Sequence, residues 1–552
     1  MSIENSILLV HPEDNIVVAL RDLKAGESFA VGDKTVEIRE TIKAKHKFAL
    51  INFAAEQEVI MYGVLVGKVT KEVNAGEALT VDNLSHAASS FKESSGVYEW
   101  QKPDLSRVPE ETFMGFKRSN GKAGTANYWL VIPLVFCENR NLQVIQQALV
   151  EQLGYVNRSV YKAQVSDLLK MYKEGKGSDD LLAWDMQESV AATQGERVFE
   201  NVDGVQFLYH DGGCGGTRHD SDNLCALLAG YVCHPNVAGA TVLSLGCQHA
   251  QISIFKEEIE KRIPNFDKPL YFLEQQEQKL ESKVVSEAIK KTFVGLTIAN
   301  KCQREEVPVS ELTFGVECGA SDGFSGISAN PAIGYCSDIN VAKGGSVILS
   351  EFPELCGVEQ DIVNRCVNKE VADRFMKIIR TYEKAASAVG ASFDMNPSPG
   401  NIKDGLITDA IKSAGAALKG GRSPVCDALY YTEMVTKKGL NLLCTPGNDV
   451  ESTTALAGSG ANVILFSTGL GTPTGNPIVP VVKVASNTKL AETMPDIIDV
   501  NTGPIITGER SLVEIGEEMY KFCLKVASGE VKTKAVILGQ NDFLLWKRGI
   551  SL

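Results

Sequence analysis

The chain has 552 residues, of which 44% are hydrophobic and 22% are charged, and its net charge is −14. This length exceeds what a single core supports, so two to four ordered domains are expected. The acidic balance argues against nucleic acid or an anionic membrane as a partner, and no window approaches the ~20 uninterrupted apolar residues of a membrane helix.

The first residues and the cysteines indicate the compartment. Residues 1–5 are polar and acidic, unlike a signal peptide. The thirteen cysteines are scattered and include no CxxC pair. This usage is typical of a reducing compartment, so we expect a cytoplasmic protein whose thiols are free. For any single cysteine, a small buried apolar role is the default.

The N-terminal part has the alternation of short β-strands. It predicts an all-β domain over residues 1–95, with strands at 7–10, 16–20, 36–39, 48–51 and 62–69. Two similar glycine-containing turns, at 23–27 and 73–77, separate these runs. The pattern indicates a small β-clip barrel.

A polar, proline-containing stretch at 96–110 follows and is predicted to be a linker. Beyond it, apolar strands alternate with amphipathic helices, for example a strand at 129–135 and a helix at 142–153. This alternation predicts α/β domains with mostly parallel sheets, which we divide into 111–265 and 266–552.

Two further segments fit the α/β pattern. Residues 240–245 are predicted to form a strand and residues 255–262 a helix. The charged stretch 274–291 is interpreted as a solvated helix without a functional role.

Four glycine-rich loops follow apolar strands, at 210–217, 246–249, 318–326 and 467–475. Glycine allows close backbone approach and leaves N–H groups free for an anion. Three of the loops also carry potential soft metal ligands, Cys214, Cys247 and Cys318. Because the carboxyl ends of parallel strands meet at one edge, we expect these loops to share one pocket.

Common nucleotide and hydrolase motifs are missing from the sequence. Residues 469–471 read Gly-Leu-Gly but lack the rest of a dinucleotide fingerprint, and neither GxxxxGK[ST] nor GxSxG occurs. A hydride-transfer enzyme, an ATP site and a serine hydrolase are therefore disfavoured.

The seven histidines give few candidates for chemistry. His46 and His86 both lie next to turns of the predicted barrel, so the two rings can meet in space. His234 lies between a helix and a strand, and we expect it to have a structural role.

Several motifs in order resemble those of the altronate/galactarate dehydratase family, at 114–127, 318–334, 396–401 and 467–471. The N-terminal domain resembles an SAF domain, so the similarity covers nearly the whole chain. The resemblance implies a lyase that removes water from aldonic or aldaric acids to give 2-keto-3-deoxy products. It also implies a divalent metal, with Fe²⁺ expected and Mn²⁺ as the alternative.

With this resemblance, three sets of residues become hypotheses for the site. The expected catalytic groups are His46, His86, His210 and Asp322. The expected metal ligands are His46, His86, Cys214, Cys247 and Cys318. The expected substrate-binding residues are Arg118, Lys122, Ser321, Asn330, Asn396, Ser398, Asn401, Thr468 and Thr472.

The chain departs from the family pattern at two places. Altronate-type members often carry a His-x-His pair where this chain has Thr80, Val81 and Asp82. Asp82 or His86 is then the replacement ligand, since carboxylate and imidazole both bind iron. The family's Gly-Cys-Glu stretch reads Gly-Cys-Gln here, with Gln248, which removes a carboxylate and weakens a metal site or shifts the preference to another sugar acid.

The favoured hypothesis is altronate dehydration, because the N-terminal domain is closer to the altronate type. Galactarate dehydration and a sulfo-lyase activity are the alternatives within the lyases. A noncatalytic sugar-acid binding protein is the alternative from another class, motivated by the altered ligand positions. The expected partner is a small sugar acid, and a homodimer is a further expectation.

Overall fold

A computed structural model of the chain describes residues 6–87, 98–155, 160–185 and 197–551. The described residues form an N-terminal all-β module followed by two α/β domains with parallel sheets, which confirms the predicted fold class. None of the described helices combines the length and the apolar character that crossing a bilayer requires.

The N-terminal module consists of short antiparallel strands in three small sheets, ordered β1-β2-β5-β8, β3-β4 and β6-β7-β9. The strands are β1 Ile7–Leu8, β2 Ile16–Ala19, β3 Ser28–Val31, β4 Lys34–Glu37, β5 Lys47–Ala49, β6 Glu58–Met61, β7 Val64–Val69, β8 Ala78–Leu79 and β9 Leu84–Ser85. Residues 88–97, which include the start of the predicted linker, lie outside the described residues.

The second domain is built on a parallel sheet ordered β13-β12-β14-β15. The elements of this part of the chain are β10 Thr112–Lys117, β11 Ala123–Gly124, β12 Tyr128–Pro133, α1 Asn139–Leu149, α2 Val160–Lys173, α3 Ser178–Leu182, β13 Gly204–Phe207, α4 Arg218–Cys233, β14 Val237–Ser244, α5 Ile252–Arg262, β15 Leu270–Glu274, α6 Gln275–Gln278 and α7 Glu281–Ala299.

The four-stranded sheet of the second domain includes residues beyond 265, while the domain division at 265/266 stays a prediction. Strand β15 pairs in parallel with β14. Helix α7 buries a stripe at four-residue spacing, Val284, Ala288, Thr292 and Leu296. The prediction of a solvated helix at 274–291 is therefore wrong, because small and apolar residues at helical spacing lie between the charged ones and pack on the sheet.

The C-terminal domain contains seven parallel strands ordered β19-β20-β18-β17-β21-β22-β23, while β16 pairs with β10. Its elements are β16 Glu305–Pro308, β17 Thr313–Cys318, α8 Ala329–Ala342, β18 Ser346–Leu349, α9 Glu359–Asn364, α10 Lys369–Ala388, α11 Pro399–Lys403, α12 Asp409–Ala417, β19 Val425–Leu429, β20 Gly439–Leu443, α13 Asp449–Gly458, β21 Val463–Thr468, β22 Val481–Ala485, α14 Thr488–Thr493, β23 Val500–Asn501, α15 Gly503–Thr507, α16 Leu512–Ala527 and α17 Lys534–Leu538.

Strand β17 lies in the middle of this sheet, between β18 and β21. The chain continues from β17 through β18 on one side and from β21 through β22 on the other, so the winding direction reverses beside β17. In open parallel sheets, ligands bind at the carboxyl ends of the strands at such a reversal. A ligand site is therefore expected among the residues that follow β17, β18 and β21.

The N-terminal module is docked on this edge of the C-terminal domain. Its residues share a hydrophobic core with Phe324, Leu406 and Ile411 of that domain. The buried Lys47 donates a hydrogen bond from Nζ to the carbonyl oxygen of Gly405, at 2.5 Å. The module thus packs directly against the loops at the carboxyl edge.

Candidate active site

A buried group of ionisable side chains lies at the carboxyl end of β17. Cys318 is the last residue of that strand, and its Sγ donates to Glu354 Oε2 at 3.1 Å. Lys419 donates from Nζ to Cys318 Sγ and to Glu351 Oε2, both at 2.7 Å. We call Cys318, Glu351, Glu354, Lys412 and Lys419 the acid–base cluster.

The two carboxylates of the cluster come directly after β18. Glu351 has a left-handed backbone with φ 63°, a conformation that costs energy for a residue other than glycine. It is held there because its N–H donates to Thr445 Oγ1 at 2.8 Å, while its Oε2 accepts from the Cys318 N–H at 3.0 Å. Such strain at the end of a strand is typical of a functional position.

The two lysines come from α12 and the 3₁₀ turn that follows it. Lys412 and Lys419 are seven residues apart, close to two helical turns, so both face the sheet edge. Lys412 Nζ lies 2.6 Å from Glu354 Oε1 and donates to Asn396 Oδ1 at 2.9 Å. Lys412 and Asn396 are half-buried and form the rim of the cluster.

The environment separates the proton affinities of the two carboxylates. Burial raises the pKa of Glu351 to about 7, and the charge of Glu354 adds to this rise although Lys419 opposes it. Burial alone would raise the pKa of Glu354, but the ammonium groups of Lys412 and Lys419 outweigh it and lower that pKa. Neighbouring groups whose pKa values are pushed apart can act as proton donor and proton acceptor.

A second set of contacts ties the loop after β17 to the N-terminal module. The buried carboxylate of Asp322 lies 2.9 Å from Lys45 Nζ and accepts from the Ser325 N–H and from Ser486 Oγ. With these partners, Asp322 anchors Lys45 to the loop. This pattern favours a positioning role for Asp322 over the predicted role as a base.

A third group of donors fits a divalent transition metal. The donor atoms of His86, Cys356 and Asp409 lie within 4.8 Å of one another, and His86 Nδ1 forms an ion pair with Asp409. Imidazole, thiolate and carboxylate are all ligands for iron, manganese or zinc. The donors Cys318, Glu351 and Glu354 are equally close together but are neutralised by two lysines, so the group with His86 fits a cation better.

The metal-type group and the acid–base cluster are adjacent. Cys356 follows Glu354 by two residues, and Asp409 precedes Lys412 by one turn of α12. Residues 351–356 and helix α12 therefore contribute to both groups, while Cys318, Lys419 and His86 come from other elements. A substrate held at Lys412 would lie beside both.

Many predicted site residues do lie at this carboxyl edge. Asn401 Nδ2 donates to the Ser321 carbonyl, and Ser467 Oγ donates to Asn330 Oδ1. The predicted residues from the strand-end loops and the adjoining segments are His46, Cys318, Ser321, Asp322, Asn330, Asn396, Ser398, Asn401, Thr468 and Thr472. Their individual roles remain predictions.

The two barrel histidines do not meet. His46 Nε2 contacts the Lys403 carbonyl oxygen at 3.2 Å, and burial lowers the pKa of this half-buried ring. His86 instead pairs with Asp409, at the start of α12. Within the described part of the chain, the His86 group contains neither His46 nor Asp82.

Three predicted residues have structural contacts in the second domain. The Arg118 guanidinium donates to the Pro235 carbonyl and to Asn127, at 2.7 and 2.9 Å. Lys122 Nζ lies 3.6 Å from the half-buried carboxylate of Glu311. Both ring nitrogens of His210 are occupied, by the Pro133 carbonyl and the Gly212 N–H.

The expectation that Cys214, Cys247 and Cys318 share one metal group is corrected. Cys318 ends a strand of the seven-stranded sheet, whereas Cys214 and Cys247 follow strands of the four-stranded sheet. Among the described residues, neither joins the donors around Cys318. The sequence shows that each loop follows a strand, but it does not show which sheet each strand enters.

Sequence reasoning missed Glu351, Glu354, Lys412 and Lys419. A usable signal existed for the carboxylates, because Ser350-Glu351-Phe352-Pro353-Glu354 follows the apolar strand β18. The lysines gave a weaker signal, since a lysine on a helix is usually solvated and only the fold buries this pair.

Comparison with known protein families covers almost the whole chain. Residues 5–87 match the altronate/galactarate dehydratase SAF domain. Residues 115–300 match the second domain of D-galactarate dehydratase/altronate hydrolase. Residues 309–551 match the C-terminal domain of D-galactarate/altronate dehydratase.

Individual relatives align from end to end. Altronate dehydratase of Bacillus subtilis is 32% identical over 99% of this chain and 100% of its own length. Altronate dehydratase of Escherichia coli is 31% identical, covering 98% and 99%. Galactarate dehydratase (L-threo-forming) of E. coli is 31% identical, covering 95% and 93%. The chain therefore belongs to the altronate/galactarate dehydratase family.

Proposed function

We propose that this chain is a hydro-lyase that dehydrates altronate to a 2-keto-3-deoxy acid in the cytoplasm. The observation that carries the proposal is the acid–base cluster, in which Glu354 contacts both Lys412 and Cys318 while Glu351 is paired with Lys419. The similarity to two altronate dehydratases along their full lengths supports the choice of substrate. Thirteen free cysteines support a reducing compartment.

The reaction requires a stabilised anion. The proton next to a carboxylate is weakly acidic, so the enediolate formed by its removal needs nearby positive charge. Lys412 lies at the rim of the cluster and is oriented by Asn396, so it can bind the substrate carboxylate and stabilise this charge. Ser321, Asn330 and Ser398 are proposed to contact the sugar hydroxyls.

The two carboxylates then divide the proton transfers. Glu354 accepts the proton from the α-carbon, which leaves the enediolate; its electron pair then forms the carbon–carbon double bond as the β-carbon–oxygen bond breaks. Glu351 donates its proton to the departing hydroxyl, which leaves as water. The enol product converts to the 2-keto acid. Both roles follow from the positions of these groups around Lys412 and Lys419.

His86, Cys356 and Asp409 would hold a divalent metal, which would supply Lewis acidity at the carboxyl edge of the sheet. We propose Fe²⁺ as this metal, with Mn²⁺ as the alternative. An ion pair of the chain orients the module that carries His86. The Asp322–Lys45 ion pair holds the N-terminal module, which carries His86, against the C-terminal domain.

The test is an anaerobic assay of the iron-supplied protein with altronate and, in parallel, with galactarate. We expect a 2-keto-3-deoxy product from altronate. Glu354→Gln should lower kcat by about 10²-fold or more, because an amide cannot accept the proton. The matched control Glu492→Gln, at an exposed position, should keep wild-type kcat.

Two outcomes would refute the proposal. Wild-type kcat in Glu354→Gln would remove Glu354 from the chemistry. Tight altronate binding without any product would favour a noncatalytic sugar-acid binding protein instead.

A further inference from the structure

Three cysteines lie at the carboxyl edge of the four-stranded sheet of the second domain. Cys137 follows β12, Cys214 follows β13 and Cys247 follows β14. These strands are direct neighbours in the order β13-β12-β14 and run in parallel. Each of three adjacent strands thus delivers one cysteine to the same edge.

Backbone contacts bring the three loops together. The Phe136 N–H donates to the Gly212 carbonyl at 3.1 Å, and the His249 N–H donates to the Gly213 carbonyl at 3.0 Å. A Cβ at Gly213, whose φ is 97°, would lie 2.1 Å from the Leu134 carbonyl oxygen. Each cysteine is within two residues of one of these contacts, so the three cysteine-bearing loops lie against one another.

The turn that carries Cys247 is fixed internally. The buried Gln248 accepts a hydrogen bond from the Gly246 N–H at 2.7 Å and donates to Ser244 Oγ at 2.6 Å. Gln248 therefore braces the turn from within. The cysteine beside it has a defined position before anything binds.

Cys137, Cys214 and Cys247 differ from the buried cysteines in their exposure to solvent. All thirteen cysteines are described and free, and the two that are exposed are Cys137 and Cys247. Cys214 is half-buried, whereas Cys225 and Cys233 on the adjacent helix α4 are buried. A buried cysteine acts as a small apolar residue, but exposed thiols at one sheet edge are available to ligate.

The separation of the three donor atoms excludes a single ion bound by all three of them. The trio is absent from the groups of described residues whose donor atoms lie within 4.8 Å of one another, as a shared ion would require. An iron–sulfur cluster holds thiolates further apart, because sulfide bridges its irons. Gly213 and Gly215, both with positive φ, also provide turn geometry whose N–H groups favour the anionic sulfides.

We propose that Cys137, Cys214 and Cys247 bind an iron–sulfur cluster as three thiolates. Each thiol loses its proton on binding. Three cysteines leave one iron of a [4Fe–4S] cluster open to a non-protein ligand. The site is formed by the second domain and is separate from the acid–base cluster, so the inference does not depend on the proposed activity.

The test is anaerobic reconstitution of the full chain with ferric iron, sulfide and a thiol reductant, which reduces part of the iron to the ferrous state. We expect about four irons and four acid-labile sulfides per chain, visible absorbance and an electron paramagnetic resonance signal after reduction. Cys137→Ala, Cys214→Ala and Cys247→Ala should each lose the sulfide and the absorbance. Cys426→Ala, at a half-buried cysteine in strand β19 of the seven-stranded sheet, should keep both.

A glycine pair provides a second control that leaves all thiols in place. Gly213→Ala should lose the cluster, since the new Cβ collides with the Leu134 carbonyl. Gly215→Ala has the same positive-φ strain at 73° but meets nothing within 4 Å, so it should retain the cluster. Iron bound without sulfide, or a full signal in the triple cysteine variant, would overturn the proposal.

Discussion

Lys419 shows how much one residue contributes to the candidate site. It is almost fully buried, and its ammonium is shared between a thiol and a carboxylate. Burial would lower the pKa of Lys419, but Cys318, Glu351 and Glu354 together raise it well above its usual value. The lysine is therefore a cation that the interior accepts only because these partners surround it.

Removal of this cation should destabilise the chain. Lys419→Met leaves Glu351 buried without its partner, and we expect a loss of about 3–5 kcal/mol in the free energy of unfolding, measured with urea. Lys290→Met removes a surface ion pair on α7 and should leave the unfolding midpoint nearly unchanged. Equal midpoints for the two variants would contradict the role given to Lys419.

The sequence predicted some of the individual site residues but not others. Cys318 was predicted because a glycine-rich loop follows an apolar strand, a pattern that is visible locally. Lys412 was not predicted, because its burial depends on a carboxylate from another strand end. A buried ion pair between distant segments leaves no local pattern.

Among the elements, the turn between α11 and α12 sets the position of the N-terminal module. Gly405 has φ 93°, and a Cβ there would lie 2.4 Å from the Lys45 carbonyl oxygen. The same turn accepts the hydrogen bond from Lys47 Nζ. It therefore fixes the module that carries His86 relative to α12.

Gly405→Ala should displace the module and lower both the thermal midpoint and turnover. The matched control is Gly26→Ala, which has nearly the same φ, 89°, but open space around the new Cβ. Both variants carry the strain of a left-handed alanine, so only the clash distinguishes them. If both lost the same activity, the contact between module and turn would not matter for the site.

The helices and strands were predicted correctly where the hydrophobic periodicity was strong. The prediction was wrong where charged residues lay between the apolar ones. Five of the nine strands of the N-terminal module, namely β1, β2, β4, β5 and β7, were predicted from alternation, whereas β3, β6, β8 and β9 were not. Helix α7 was judged solvated because charged residues such as Glu287 and Lys291 lie between the residues of the buried stripe at 284–296. A strand such as β15 could not be assigned to a domain, since only its pairing with β14 decides that.

Across the whole molecule, the two α/β domains are joined by buried polar contacts. His234 ends α4 of the second domain, and its Nε2 contacts the Ala461 carbonyl of the C-terminal domain at 2.8 Å. The Asn236 N–H donates to its Nδ1 at 3.0 Å. Burial lowers the pKa of His234 to about 3, so the ring is neutral in the folded chain. These contacts fit the structural role predicted for His234.

His234 should make the molecule sensitive to acid. The pKa of His234 is about 3 in the folded chain and 6.5 in the unfolded chain, so the unfolded state binds more protons between these two pH values. The free energy of unfolding therefore falls as the pH drops from 6.5 towards 3. From pH 6.5 to pH 5 the loss should be about 2 kcal/mol. In urea unfolding, His234→Asn should not show this loss of unfolding free energy at low pH. His219→Asn, at an exposed position, should still show it. Equal pH dependence in the two variants would contradict the assignment.

The central claim is that the sugar acid binds at the carboxyl edge of the seven-stranded sheet, against Lys412 and Glu354. The most direct measurement is a crystal structure of Glu354→Gln soaked with altronate, since slow turnover should preserve the substrate. We predict the altronate carboxylate within hydrogen-bond distance of Lys412 and Asn396, with its α-carbon facing residue 354. Altronate bound in the second domain, or at any place without contact to Lys412, would contradict the claim.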